Sequence, residues 1–393
     1  MNSNTDEKYM RRCLQLAANG RFGAPPNPMV GAVVVCDGRI IGEGYHMHCG
    51  GPHAEVNAIA SVKDQSLLPR STVYVSLEPC AHYGKTPPCA DMLVSKHVKR
   101  VVVGCADPFA AVSGRGIARL RDAGIEVTVG VLEQECRMLN CRFITYHSRK
   151  RPYVILKWAQ SADGYIAPGG EARRAFISTP MTQMCSHRLR TENDAILVGR
   201  HTAECDNPSL TARAWHGKNP LRIVLDRNAT LPATLNLFDG NAATLAVTAH
   251  PYPDGRPATE YLHPDYGRDI IPQLMDALHA RGIQSLVVEG GRMVLQSFMD
   301  RDVWDEIVIE QGSCLFGGGT EAPQAAQGRN AAALVRTAQQ GAQPKKERNA
   351  SAPAAKDGAA QPKPNNQKNR RGYRGYHGKP RPKTGTPGDK TQS

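Results

Sequence analysis

Apolar positions along the first 130 residues switch between two spacings. Tyr9, Met10, Cys13, Leu14 and Ala17 recur at intervals of three and four, which predicts a helix over 7–19. Beyond the Pro-Pro-Asn-Pro turn at 25–28 the chain becomes a continuous apolar run over 30–36. Asp37-Gly38 is a tight-turn pair and 39–45 reads as the partner strand, so a hairpin is expected here. The pattern then predicts helices over 53–62, 90–95 and 116–123, and strands over 71–77, 101–104 and 126–130. Strands alternating with helices give a layered α/β domain, complete by about residue 147.

The basic stretch Ser-Arg-Lys-Arg-Pro at 148–152 reads as a linker, and a second α/β pattern begins after it. Strands are expected over 153–158, 195–198, 221–225, 285–289 and 306–310, and helices over 180–191, 270–281 and 293–300. The pattern weakens from about 322. From about 340 the chain is Pro, Gly, Ala, Asn, Gln and Lys with almost no aliphatic residue, too little apolar surface to fold. The expected organisation is therefore an α/β domain over 1–149, a second over 150–339 and a disordered basic tail over 340–393. No internal repeat is evident.

Composition changes this picture in one respect. The net charge of +13 suggests nucleic acid until it is located, but residues 341–393 hold 13 of the 49 basic side chains and only 3 of the 36 acidic ones. The folded part is thus nearly neutral, and its charge says little about what it binds. No apolar run approaches the ~18–20 residues of a membrane span. The polar start, with Asp6 and Glu7, has neither the apolar core of a signal peptide nor the character of a transit peptide. Eleven cysteines spread from Cys13 to Cys314 fit reduced thiols better than a disulfide framework. A cytoplasmic enzyme is expected, with most cysteines, Cys36, Cys105 and Cys314 among them, acting as small buried hydrophobes.

Cys80 and Cys89 need a separate account. Pro52-His53-Ala54-Glu55 opens one predicted helix, Glu78-Pro79-Cys80 ends a strand, and Cys89 follows after eight intervening residues. One imidazole and two thiolates suit zinc. Three protein ligands leave an open position in which the metal lowers the pKa of a water towards ~7. Glu55, two residues from the ligand, sits near the metal without binding it and can carry the proton from that water to departing ammonia. A structural zinc knot would want a fourth ligand; His48 and Cys49 are the nearby spares. The H-x-E and Pro-Cys pairing is the signature of zinc nucleobase deaminases.

Longer runs narrow the resemblance. Residues 26–31 (PNPMVG), 44–46 (GYH), 52–59 (PHAEVNAI) and 78–89 (EPCAHYGKTPPC) resemble the deaminase half of the bifunctional deaminase–reductases of riboflavin biosynthesis. Those at 151–167, 176–179, 187–199, 201–213, 222–232 and 286–291 resemble the reductase half. The resemblance spans roughly 7–315 and implies a cytidine-deaminase-like α/β/α domain followed by a dihydrofolate-reductase-like domain. It implies deamination of a pyrimidinone carrying a phosphoribosylamino group, then NADPH reduction of the ribosyl to a ribityl chain.

It also implies site residues. His82 and Lys85 lie in the loop between the cysteines, where they can hold a phosphorylated sugar, and Asn27 can read a pyrimidine edge. In the second half Phe176, Ser178 and Thr202 would touch the cofactor, and Arg174, Leu210 and Glu289 the substrate. Gly290-Gly291, between a strand and a helix, offers backbone amides to an anionic group. Arg190 and Arg213 are candidate phosphate contacts, while Lys157 and Asp206 are candidates for proton transfer. The chain departs from the family at Asn207, Phe176 and Gln160-Ser161. After Gly317-Gly318-Gly319 only residues 333–337 (ALVRT) read as a closing strand, so the sheet edge is expected to be open or covered by another segment.

A homo-oligomer acting on a small molecule is expected. Two alternatives remain: a deaminase with an impaired reductase half, and an RNA or nucleoside deaminase recruited by its tail. Arg370-Arg371-Gly372-Tyr373-Arg374 has the composition of an RNA-stacking segment. Composition favours a solvated extension without a partner, and the eight-residue cysteine gap argues against a nucleoside substrate.

Overall fold

The computed structural model describes residues 3–81, 87–108, 114–169, 177–324 and 332–337. Residues 1–341 form one compact unit. Its first part is a five-stranded sheet in the order β2-β1-β3-β4-β5, built from β1 (Gly31–Cys36), β2 (Arg39–Tyr45), β3 (Thr72–Leu77), β4 (Arg100–Cys105) and β5 (Glu126–Val129). β1 is antiparallel to β2 and β3, and β3, β4 and β5 are mutually parallel.

The helices here are α1 (Ser3–Ala17), α2 (Ala54–Ala60), α3 (Cys89–Ser95), α4 (Arg115–Asp122), α5 (Glu133–Leu139) and α6 (Cys141–Arg149). Strand alternation explains why β1, β3 and β4 are buried on both sides. Ala32, Val34, Val73, Val75, Val101 and Val103 point to one face, against Ala58, Leu93 and Ile117. Val33, Val35, Tyr74 and Val102 point to the other, against Tyr9, Met10 and Cys136. On that second face α1 is fastened by charge: Arg100 donates to both Asp6 oxygens at 2.9 and 2.8 Å, and Tyr74 Oη donates to Asp6 at 2.9 Å.

The second part holds an eight-stranded sheet, β11-β10-β9-β8-β12-β6-β13-β15, parallel throughout. Its strands are β6 (Tyr153–Gln160), β8 (Ala195–Gly199), β9 (Leu221–Leu225), β10 (Thr244–Val247), β11 (Thr259–Leu262), β12 (Ser285–Glu289), β13 (Glu306–Gln311) and β15 (Ala332–Thr337). β7 (Tyr165–Pro168) pairs separately with β14 (Gly319–Glu321). Helices α9 (Ile270–Ala280) and α10 (Arg292–Asp300) cover the face carrying Val154, Leu156, Leu197 and Val288. The opposite face carries Ile155, Ile196, Val198 and Val287, with Ala203 of α8 (Arg200–Asp206) and Leu189 of α7 (Pro180–Thr191) against it.

Three expectations change. The 148–152 stretch is no slack linker: α6 runs to Arg149, and Arg149 and Arg151 both pair with Asp305, at 2.8 and 2.5 Å. β10, β11, α5 and α6 were not legible in the pattern. The sheet edge is not at β13: the strand read over 333–337 is present as β15, which pairs with β13 in parallel from Glu306↔Ala332 to Gln311↔Thr337 and is itself the outermost strand. Contacts join the two parts: Arg21 with Glu192 at 2.8 Å, Gln284 Nε2 to the Pro26 carbonyl at 2.8 Å, and Tyr146 Oη to the His279 carbonyl at 3.0 Å. Among the described residues no helix is long and apolar enough to cross a membrane. The tail lies outside the described residues.

Candidate active sites

His53 is the N-cap of α2, Cys89 is the first residue of α3, and Cys80 follows β3. The Asn57 side chain ties α2 to the end of β2, donating to the Tyr45 carbonyl at 2.8 Å. His53 Nδ1 thereby lies 3.6 Å from Cys80 Sγ and 3.3 Å from Cys89 Sγ. A zinc ion held tetrahedrally at the usual bond lengths separates such nitrogen and sulfur atoms by about 3.6 Å, so the residues fit the metal. Among the described residues this is the one His/Cys/Asp/Glu group able to hold a metal, and His48 and Cys49 are not part of it. The Cys89 amide donates to Cys80 Sγ at 3.3 Å. Hydrogen bonding from Cys89, then from His53, holds the Cys80 thiol well below its usual range, while the Cys89 thiol is pushed up by Cys80 and by burial.

Glu55 lies in the first turn of α2, buried, its carboxyl pushed up to about 7 chiefly by burial. It shares with His53 and Cys80 a cavity of about 320 Å³, within the range of small-molecule sites. Asn27 lines the same cavity and is oriented from behind. His46 Nδ1 donates to the Pro52 carbonyl at 3.0 Å, leaving Nε2 to accept from Asn27 Nδ2 at 3.1 Å. Burial lowers the His46 pKa, which agrees with this neutral tautomer.

Sequence reasoning passed over several residues around this cavity. Glu78 is buried, and its carboxylate accepts from the amides of Asp107 (3.2 Å), Gly114 (2.9 Å), Gly116 (3.0 Å) and Ile117 (3.3 Å). It therefore clamps the start of α4 beside Pro79-Cys80, and a Cβ at Gly116 would overlap the Pro79 carbonyl. Phe143 and His147 of α6 also line the cavity. The sequence pattern did not show the helix that carries them, and only the tertiary fold shows what they face. His46 stood in a quoted motif without a role. His82 and Lys85 lie outside the described residues.

The second site gathers at the carboxyl ends of parallel strands, around the point where strand order reverses. Lys157 of β6 is in register with Glu289 of β12, and Lys157 Nζ lies 3.6 Å from Glu289 Oε1. Arg190 of α7 turns one terminal nitrogen to Glu289 at 3.2 Å and the other to the Thr211 carbonyl at 3.2 Å. Despite burial, Lys157 and Arg190 hold the Glu289 carboxyl below its ordinary value. Gly290 follows at φ +116°, where an L side chain is strained and a Cβ would lie 2.7 Å from Thr202 Oγ1. Gly291 is the N-cap of α10, has no side-chain cap, and its amide donates to Thr202 Oγ1 at 3.0 Å. This tight backbone turn suits the close approach of a dinucleotide.

The remaining candidates spread around that centre. Ser178 immediately precedes the α7 N-cap Thr179 and is half-buried. Leu210 is buried at φ +52°, whereas Asp206, at the end of α8, and Arg213 are exposed. Arg174 and Phe176 lie outside the described residues. Of the cysteines expected to be core residues, Cys36 and Cys105 are buried and Cys314 is half-buried.

The cytidine and deoxycytidylate deaminase zinc-binding region, as a family, matches residues 3–105, and the RibD C-terminal domain matches residues 152–345. The chain is 38% identical over 323 residues to riboflavin biosynthesis protein RibD of Aquifex aeolicus, covering 80% of this chain and 88% of that one. It is 39% identical over 322 residues to the RibD of Bacillus amyloliquefaciens, covering 80% and 86%. Among solved structures it is similar to the diaminohydroxyphosphoribosylaminopyrimidine deaminase/5-amino-6-(5-phosphoribosylamino)uracil reductase of Thermotoga maritima. That match has a TM-score of 0.72 at 39% identity and covers 81% and 90% of the two chains. Acinetobacter baumannii RibD matches with a TM-score of 0.73 at 32% identity, covering 84% and 92%.

Proposed function

The chain belongs to the RibD family of riboflavin-biosynthesis enzymes, and from that premise we propose how its residues divide the work of two reactions. The protein is a bifunctional enzyme. It deaminates 2,5-diamino-6-(5-phosphoribosylamino)pyrimidin-4(3H)-one with zinc and then reduces the ribosyl group with NADPH. The observation that carries the residue assignment is the meeting of His53, Cys80 and Cys89 around one point beside buried Glu55.

His53, Cys80 and Cys89 would hold the zinc, which when bound would supply an activated water for attack on the amino-bearing pyrimidine carbon. Glu55 takes the proton from that water and returns it to the leaving ammonia. A carboxyl with a pKa of about 7 can do both near neutrality. Asn27, fixed by His46, holds the pyrimidine edge, and His82 and Lys85 hold the sugar phosphate.

In the second reaction NADPH supplies a hydride, and one proton is taken up as the ribosyl ring opens. Gly290, Gly291, Thr202, Ser178 and Phe176 hold the cofactor. Glu289, Arg174, Arg190, Leu210 and Arg213 hold the substrate, and Lys157 and Asp206 manage the proton. The two catalytic halves are assigned to 1–149 and 150–339, with 340–393 as a tail. The end of α6 at Arg149 and, among the described residues, the absence of any strand shared between the sheets support that boundary.

The reading includes a homo-oligomer, for which exposed Phe22 and Met47 provide apolar side chains that association would bury. It also includes a cytoplasmic location, supported by the free thiols. The test is Glu55→Gln with Cys89→Ser as its counterpart. Glu55→Gln is expected to keep stoichiometric zinc and lose ammonia release by about 10²–10⁴-fold, whereas Cys89→Ser also weakens zinc binding. Ammonia release at the wild-type rate in Glu55→Gln would remove the proton-shuttle role.

A further inference from the structure

Lys157 is flanked on both sides by acid. Glu289 on β12 is its in-register neighbour, and Glu310 on β13 lies diagonally across, two residues beyond Val308, the residue in register with Lys157. All of these side chains leave the same face of the sheet. Lys157 Nζ is 3.6 Å from Glu289 Oε1 and 4.0 Å from Glu310 Oε2, ion-pair distances that are both too long for a direct hydrogen bond. Glu310 is only 4% exposed, and its Oε1 has no hydrogen-bond partner among the described residues. A buried carboxylate left in that state is costly, so it points to a polar occupant between the two groups.

The space for one is present. A small pocket of about 20 Å³ is lined by Lys157 and Glu310, by Thr182 and Ser186 of α7, and by apolar Leu189 and Val308. That volume holds one water and little else, and four polar side chains suffice to bind it. Cys185 and, beyond Glu289, Arg190 and His187 are the other titratable groups that α7 brings to this neighbourhood. Two cations and two carboxylates balance, so no ion is called for.

We propose that Glu310 is a positioning residue of the reductase reaction, aiming the Lys157 ammonium through a single buried water. The inference rests on Lys157 acting in that reaction. An ammonium carries three hydrogens on a flexible stem. With the ammonium drawn to Glu289 by charge and hydrogen-bonded to the water on Glu310, its remaining hydrogens are turned towards the open side of the site, where the sugar must lie. Glu310 touches neither substrate nor cofactor. Its effect is to remove the rotational and lateral freedom of the group that does, and misplacement by ~1 Å costs up to about 100-fold in rate.

The experiment follows NADPH oxidation by the full chain with the deaminated intermediate, 5-amino-6-(5-phosphoribosylamino)uracil. It compares Glu310→Gln, Ser186→Ala and Lys157→Met with wild type. Glu310→Gln is expected to lower kcat about tenfold with the KM for NADPH and for the intermediate unchanged within about twofold. Ser186→Ala is expected to lower kcat in the same pattern by a smaller factor, and it carries the test alone should Glu310→Gln not fold. With Lys157→Met inactive, a wild-type kcat in the other two variants overturns the role of Glu310, as does a loss confined to KM. Full reduction by Lys157→Met would instead overturn the reading on which the inference rests.

Discussion

Replacing Glu78 by glutamine tests whether the acid before the Pro-Cys pair is an anchor. The carboxylate now accepts four backbone N–H groups, from Asp107, Gly114, Gly116 and Ile117, at 2.9–3.3 Å. A carboxamide of the same shape keeps one acceptor oxygen and turns an NH₂ towards the donors that used the other. About two buried amides are then unsatisfied, at roughly 1–3 kcal/mol each, for a loss of about 4 kcal/mol. Because Gly116 abuts the Pro79 carbonyl, any retreat of α4 is felt at Cys80. Glu78→Gln is therefore expected to lower the thermal midpoint of the zinc half by on the order of 10 °C. It should also lose zinc faster to a chelator, while NADPH oxidation by the second half persists. Heating curves paired with chelator competition measure both effects. A midpoint within about 2 °C of wild type, with unaltered zinc retention, would refute the clamp.

Two further outcomes follow from the framework around the sites. The Asp6 pKa is lowered, first by its hydrogen bonds from Arg100, so its stabilisation is fully present above the ordinary value of 3.8 and is lost as pH falls through the lower folded value. Asp6→Asn should cost about 3 kcal/mol at neutral pH, since it breaks a buried pair. The gap from wild type should close below about pH 4, and a gap independent of pH in thermal midpoints would contradict the pairing. Chains ending near 315 and 340 separate the closing strands from the rest. Loss of β14 and β15 should abolish NADPH oxidation in the shorter chain and spare it in the longer, with ammonia release intact in both; equal reductase rates would show that β15 is dispensable.

The metal ligands were legible because their chemistry is written in short local runs. His53 and Glu55 share one helix start, and Cys80 and Cys89 are nine positions apart. Buried parallel strands such as residues 100–105 and 285–289 announce themselves by short apolar runs at their centres, residues 101–103 and 286–288. β10 and β11 did not, being four residues each and set among Pro, Gly and Asp. Arg222 is hidden in another way. Within Leu-Arg-Ile-Val-Leu it reads as a solvent-facing position, yet it is fully buried, bonded to the carbonyls of Ser209, Asn236 and Ala242 and to Asp239. Glu78, Phe143 and Glu310 share that difficulty. Their partners lie 29 to 39 residues on for Glu78, and on separate elements for the other two, so spacing alone carries no trace of them.

The route of α6 bears on how such a two-part protein can be assembled. Phe143 and His147 belong to the wall of the deaminase cavity, while Tyr146 between them packs against His279 of α9, with ring centroids 4.3 Å apart and the rings tilted by 30°. A single helix is thus both lining for the first site and footing for the second part. A gene cut just before it would deliver a zinc centre with one side of its chamber missing. A gene cut just after it would leave an aromatic ring bared where the neighbour had been. The seam between the activities therefore runs along the length of a helix, so recombination of the two halves must carry that helix and preserve the surface that receives it.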